Sequence, residues 1–231
     1  VIFQAGASPK GQAYAAKYAD AVFTLGESKE IAQSNYDSIK AQAKAFGRNP
    51  NEVKVYPILA PIIGETENEV ESRFEEIKSL ANIDEALDYL GRYYDHHDFS
   101  QYDLDAPFPE LGEVGQNSFR ATADAIAARA KEHQLTLREV ALEETVRRSP
   151  FMGTYEKVAD LIIEWFEDGA ADGFIFGPHI YGAVYDEFIN HVLPILEQKG
   201  YYTQEYQGDT LRDHIGIPFK ENRYSQSHVT Q

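Results

Sequence analysis

Residues 1–26, VIFQAGASPKGQAYAAKYADAVFTLG, carry the reading that decides the fold. An apolar run, Val1-Ile2-Phe3, reaches the small residues Gly6-Ala7-Ser8. A helical pattern opens at Pro9 and closes at Tyr18-Ala19, and a second apolar run, Ala21-Val22-Phe23-Thr24, follows at once. Two parallel strands need a crossover between them, so this order predicts one βαβ unit. Gly6 tolerates backbone shapes closed to other residues, Ser8 suits an N-cap, and Pro9 suits a first helical turn. The free N–H groups of such a turn, with the Ser8 hydroxyl, make a site for a phosphate or carboxylate. The same residues equally make an ordinary capped βα turn, and on pattern alone both readings stand.

The alternation continues downstream. Ser28 caps a predicted helix to about Phe46, with Ile31, Ile39 and Ala43 on one stripe and Gly47 closing it. Residues 53–63, VKVYPILAPII, form the longest apolar run and read as a third strand; Pro57 and Pro61 bring an edge, bulge or bend to it. An acidic helix is expected over Glu67–Leu80 and another over Ile83–Tyr93. Asp95–Gln116 holds four Asp, two Pro and two Gly without a period, and reads as a long loop. Loops of that length in compact domains are functional or disordered, so a mobile lid is expected there. Helices are expected over Ser118–His133 and Leu137–Arg148. Thr154 caps one over Tyr155–Asp168 with Val158, Leu161, Ile162 and Trp165 inward. Gly173–Gly177 is a fourth apolar strand, and Tyr185–Lys199 the last long helix. Residues 201–231 read as a surface tail. Four short apolar strands joined by helices predict a parallel sheet covered on both faces.

Composition excludes several classes of function. A formal net charge of −17 argues against nucleic-acid and anionic-membrane partners. With no cysteine there is neither a disulfide framework nor a thiolate metal site. No apolar run approaches the roughly 18–20 residues of a membrane span. With no signal peptide visible, a cytoplasmic protein is expected. No HxH or HxxxH pair stands beside a carboxylate, so no metal centre is expected. Asp98, Asp103 and Asp105 lack the spacing of a calcium loop and read as organisers of their own loop. Glu65, Glu67, Glu69, Glu71, Glu75 and Glu76 read as a solvated helix face.

Five segments together resemble the flavin-dependent monooxygenases of the nitrilotriacetate and dibenzothiophene-sulfone type, within the bacterial-luciferase-like superfamily. They are QAGASPKGQAYAAKYADAVFT, HDFSQYDLDAPFPEL (His97–Leu111), GTYEKVADLIIEWFEDGAADGF (Gly153–Phe174), FINHVLPILEQKGYYTQEYQG (Phe188–Gly208) and TLRDHIGIP (Thr210–Pro218). The resemblance implies a (β/α)8 TIM barrel, α/β in class. Residues 1–231 would be its C-terminal half, carrying strands five to eight, an insertion at 64–152 and a tail at 201–231. Strands Val1–Ala5 and Gly173–Gly177 would then be open edges. The expected partner is the N-terminal half of the same barrel, with a homo-oligomer as the assembly, and the isolated segment is expected to be inactive.

The resemblance also implies a function. A separate flavin reductase supplies reduced flavin mononucleotide (FMN), and a C4a-(hydro)peroxyflavin passes one oxygen atom of O2 to a small organic substrate. It places the FMN phosphate at Gly6, Ala7 and Ser8. Ser8 matches the family serine, while Ala7 stands where many members have a second one. It brings His97 to the substrate cavity, as a proton donor or a substrate contact; the plain alternative is a loop histidine bonded to backbone. His179, after the last strand, has no firm counterpart in the family. Two other readings share the fold: a deazaflavin-dependent oxidoreductase of luciferase-like type, and a non-catalytic half-barrel that only pairs with a partner chain.

Overall fold

The structure is a computed structural model that describes residues 1–5, 8–112, 114, 120–206 and 208–221. In chain order the strands are β1 (Phe3–Ala5), β2 (Ala21–Thr24), β3 (Lys54–Leu59), β4 (Ile62–Gly64), β5 (Met152–Thr154) and β6 (Ile175–Phe176). The helices are α1 (Pro9–Tyr18), α2 (Lys29–Ala45), α3 (Glu67–Ser79), α4 (Ile83–Gly91), α5 (Arg120–His133), α6 (Leu137–Thr145), α7 (Tyr155–Glu167), α8 (Ala183–Glu187), α9 (Leu193–Gln198) and α10 (Leu211–His214). The chain divides into two compact units, Val1–Val70 with Ser149–Gln231, and Glu71–Arg148.

In the first unit the expected βαβ order is present, and the main sheet runs β1-β2-β3-β6 with every neighbour parallel. Register places Val22 beside Val55 and Phe23 beside Tyr56. Along β3 the pleat separates buried Val55, Pro57 and Leu59 from half-buried Lys54, Tyr56 and Ile58. Val22 and Val55 pack under α1 and α2 with Ala15, Ala16, Ala19, Ile39 and Ala43. Alanines on α1 let it lie close to the sheet. Ile31 departs from the expected stripe and is exposed, because α2 buries Ala32, Ile39 and Ala43 and Ile31 falls to the side of that line. A larger cluster joins Leu59, Ile63, Phe151, Trp165, Phe188 and Val192; the Phe151 and Trp165 rings stand 4.6 Å apart.

Three elements differ from the sequence-based expectation. The run at 53–63 is two strands: the chain breaks at Ala60-Pro61, and Ile62 N–H then bonds Phe151 O at 3.0 Å. Proline has no N–H and restricts the residue before it, so the ladder to the main sheet stops there. β4 instead pairs in parallel with β5, a strand absent from the pattern reading. Its three residues are too few to display a two-residue alternation. Pro194 reshapes the last long helix. Without an N–H it cannot bond the carbonyl four residues back, and residues Phe188–Val192 form a π-helical stretch in which Leu193 N–H reaches Phe188 O.

The Glu71–Arg148 unit is helical. Leu87, Leu90, Tyr94, Phe99, Ala123, Ile126, Leu137 and Val140 form its core. The expected lid proves to be a packed loop over its described residues. Short 3-10 turns at Arg92–Tyr94 and Phe99–Gln101 bury Tyr94 and Phe99, and Tyr102, Leu104, Phe108 and Leu111 pack on them. Aromatic side chains spaced without a helical period stay invisible to a periodicity reading and still build a core. The three aspartates organise this loop: Asp98 accepts from Ser100 N–H at 2.9 Å, Asp103 from Asp105 N–H at 3.0 Å, and Asp105 pairs with Arg138 at 2.8 Å.

Two carboxylates pin the amino ends of the main sheet. Asp20 precedes β2, accepts from Ile2 N–H at 2.9 Å and pairs with Arg212 of α10 at 2.6 Å. Burial opposes its ionisation, but Arg212, the Ile2 N–H and Lys220 outweigh burial and hold its pKa below the usual value. Asp172 precedes β6. Its Oδ2 accepts from Val55 N–H at 2.8 Å and Lys40 Nζ at 2.7 Å, and its Oδ1 from the Tyr36 hydroxyl at 3.2 Å. Lys40 also donates to Val53 O at 2.7 Å and Pro50 O at 3.2 Å, so its ammonium is fully engaged.

Asp172→Ala strands a mostly buried ammonium and an N–H of β3. It is expected to destabilise the protein by about 3–5 kcal/mol in urea unfolding, with Lys40→Met in the same background recovering part of the loss. An additive second loss would mean that the two side chains are independent. Tyr56, pushed up to about 12 by burial and then by the Asp172 charge, supplies a pH test. Between the ordinary tyrosine value of 10.0 and about 12 the unfolded chain gives up a proton that the folded chain keeps, so stability falls as pH rises. The stability of Tyr56→Phe relative to wild type should therefore climb through that interval by up to about 1.4 kcal/mol per pH unit.

Candidate active site at the carboxyl ends of the strands

Parallel strands with covering helices place their functional loops where the strands end. In the main sheet those loops are the turn from β1 to α1, Leu25–Ser28 after β2, Ala60-Pro61 after β3 and Gly177–Gly182 after β6. Two close approaches shape this end. A Cβ on Gly26 would stand 2.5 Å from Ile58 O, so the loop after β2 lies against the β3 backbone with no room for a side chain there. Gly177 N–H bonds Leu59 O at 2.9 Å, and a Cβ on Gly177 would meet Ile58 Cδ1 at 2.9 Å. The loop after β6 is thus held beside the end of β3.

Ser8 caps α1. Its Oγ accepts from Gly11 N–H at 3.2 Å, and Gln12 N–H bonds Ser8 O at 2.8 Å. The cap consumes an acceptor position of the hydroxyl and leaves its proton free to donate. Pro9 offers no N–H, and Lys10 is exposed on the first turn. Acidic residues occupy the first turns of α2, α3, α4, α6, α7, α8 and α10, whereas α1, α5 and α9 have none. An N-terminal helix end attracts anions, and the first turn of α1 carries no carboxylate of its own. A hydroxyl donor and an acid-free helix end form a donor set that fits a phosphate. Gly6 and Ala7, the other two predicted phosphate residues, lie outside the described residues.

His179 follows buried Pro178 on the loop after β6 and is exposed at the surface. The protein mass around its ring still disfavours the charged form and lowers its pKa, so the neutral imidazole is favoured. His97 belongs to the helical unit. Its Nε2 stands 2.9 Å from the Tyr102 hydroxyl, and its ring meets Phe99 edge-on at 5.1 Å. Its partner is a side chain, unlike the backbone partner of the plain reading. The same unit holds a cavity of about 830 Å³ lined by Tyr94, Phe108, Leu111, Ala123, Lys131 and Leu135 among others, and His97 does not line it. Composition had no means of revealing this cavity, because its walls come from a loop and α5 meeting in space. Among the described residues no cluster of His, Asp and Glu could hold a metal ion, and no helix is long and apolar enough to cross a membrane.

Comparison with known proteins joins this geometry to a family. Residues 2–172 match the model of the luciferase-like monooxygenases. The chain is 38% identical over 221 residues to dibenzothiophene-sulfone monooxygenase of Rhodococcus erythropolis, covering 94% of this chain and 49% of that protein. It is 31% identical to nitrilotriacetate monooxygenase component A of Aminobacter aminovorans, covering 96% of this chain and 49% of that protein. Among solved structures, DmoA of Hyphomicrobium sulfonivorans superposes with a TM-score of 0.74 at 29% identity, over 93% of this chain and 45% of that one. Riboflavin lyase RcaE, solved with modified FMN and riboflavin, superposes at 0.72 and 29% identity, over 94% of this chain and 47% of that one. The chain spans about half the length of the curated relatives it matches. On sequence and on fold together, it belongs to the luciferase-like monooxygenase family.

Proposed function

We propose that the protein is an FMN-dependent monooxygenase that oxygenates a small organic substrate with O2. The observation that carries this reading is the α1 end at the carboxyl edge of β1. There a capping serine and a first turn without acid sit in a chain of net charge −17. Ser8 donates its hydroxyl proton to the FMN phosphate, and Gly6 and Ala7 are the further cofactor residues that the resemblance implies. When bound in reduced form, the flavin supplies the activation of O2, one atom going to the substrate and the other leaving as water. The loops after β2, β3 and β6 exclude water and hold the substrate. His97 is read, as the resemblance implies, as a proton donor or a substrate contact. The RcaE structure with modified FMN supports the cofactor.

The four-stranded sheet is read as strands five to eight of a (β/α)8 barrel, with 64–152 as an insertion and 201–231 as a tail. Two features support this. β1 and β6 each have one neighbour among the described residues, and Phe3, stacked on Tyr56 at 6.0 Å, is half exposed on the face away from the helices. The partners that follow are the N-terminal half of the barrel, a flavin reductase and a second copy of the protein, in the cytoplasm. The name of the nitrilotriacetate relative, a component A, supports a multi-protein system.

Titration of the full chain with FMN and with riboflavin tests the phosphate assignment. Ser8→Ala should weaken FMN by roughly 1.5–3 kcal/mol and leave riboflavin nearly unchanged; equal losses for both would remove Ser8 from the phosphate. For His97→Ala, oxygen uptake with reduced FMN and substrate is expected to fall by about 100-fold or more while FMN affinity holds. A lower melting temperature with unchanged turnover would make His97 a packing residue of its aromatic cluster.

A further inference from the structure

The backbone that leads from α4 to His97 is unusually constrained. Asp95 and His96 are consecutive left-handed residues, at φ 56° and 60°. A residue that carries a Cβ takes that conformation at an energetic cost, and such costs collect where side-chain placement matters. His96 N–H bonds Gly91 O at 2.8 Å, and His97 N–H bonds Tyr94 O at 2.9 Å. A Cβ on Gly91 would stand 2.8 Å from His97 O, so the end of α4 lies against the His97 backbone with no room for a side chain. Beyond His97 the Asp98 carboxylate accepts from Ser100 N–H at 2.9 Å and from its hydroxyl at 2.7 Å, and the Gln101 amide donates to Asp98 O at 2.6 Å. This turn folds the chain back and returns Tyr102 to His97.

The imidazole is held from two sides. Its ring meets that of Phe99, 1% exposed, at 5.1 Å and 88°. Its Nε2 stands 2.9 Å from the Tyr102 hydroxyl. Nδ1 has no hydrogen-bond partner among the described residues, and the Tyr102 hydroxyl has no second one there. A neutral imidazole carries one N–H and one bare nitrogen, and the bond made at one nitrogen decides where the proton sits. A bare imidazole nitrogen accepts more strongly than a phenol oxygen, whose lone pair is shared with its ring, and a phenol O–H is a good donor. O–H···N is thus the better pairing, and it leaves the proton on Nδ1. The reverse pairing would leave the phenol proton and the Nδ1 lone pair both without a partner among the described residues.

We propose that Tyr102 is a positioning residue for His97: its hydroxyl donates to Nε2, fixes the ring in the Nδ1–H tautomer, and so keeps a proton on the nitrogen that can donate to a substrate. This rests on the reading of His97 as a proton donor, and it names the donating atom and the side chain that sets it.

Imidazole nitrogen chemical shifts of the isotopically labelled full chain report the tautomer directly. They are recorded without flavin or substrate, at a pH where the ring is neutral, and His97→Gln identifies its signals among the seven histidines. The Nδ1–H form is expected to predominate. Tyr102→Phe removes one hydrogen bond and should lower the ratio of Nδ1–H to Nε2–H by about fivefold. Tyr93→Phe removes a hydroxyl of the same unit that bonds Tyr89 at 3.1 Å instead, and should leave the ratio unchanged. Predominance of Nε2–H in the wild type would overturn the proposal without any variant having to fold. So would a ratio indifferent to Tyr102→Phe, or one moved equally by Tyr93→Phe. Since neither cofactor nor substrate enters this measurement, its failure is distinct from that of the earlier reading, which falls if His97→Ala leaves oxygen uptake unchanged.

Discussion

A parallel sheet has to satisfy the backbone groups where its strands begin, and here one carboxylate does this for the centre of the sheet. Asp172 accepts the Val55 N–H, returns its own N–H to Val55 O at 2.9 Å, and holds Lys40 and Tyr36 of α2. β3, β6 and α2 are thereby joined at one point. Lys40 carries the connection onward to the carbonyls of Pro50 and Val53, which lead into β3. Asp20 repeats the device at β2, bonding Ile2 before β1 and Arg212 of α10. Both acids lie at the amino ends of the strands. Charge there serves stability, and the carboxyl ends stay free for binding.

That division runs through the helices as well. A chain with 38 acidic and 21 basic side chains has to place its excess negative charge where it does least harm. The first turns of seven helices absorb part of it, since a helix N-terminus welcomes a carboxylate. α1, like α5 and α9, is left without one. The α1 first turn, Pro9-Lys10-Gly11, carries no acid, and Ser8 caps it.

Much of this was legible in the primary structure. The βαβ unit of residues 1–26, the caps at Ser8, Ser28 and Thr154, and the inward stripe of α7 all follow from local rules, because a helix period or a capping side chain acts within a few residues. The loop carrying Tyr94, Phe99, Tyr102 and Phe108 was not, since its side chains find one another across turns of no fixed period. β5 is a strand only because β4 lies beside it.

What the sequence determined by itself was the alternation of short apolar strands with amphipathic helices, the handful of residues able to cap or bind at the turns, and, through extended resemblance, the family. Those are properties of neighbours along the chain. Only the tertiary structure decided that the run at 53–63 serves two sheets, that Asp20 and Asp172 close the sheet's amino end, and that His97 leans on Tyr102. Each of these joins residues distant in sequence through directional hydrogen bonds or ring contacts, and such contacts exist only once the backbone has brought the partners within a few ångströms of each other.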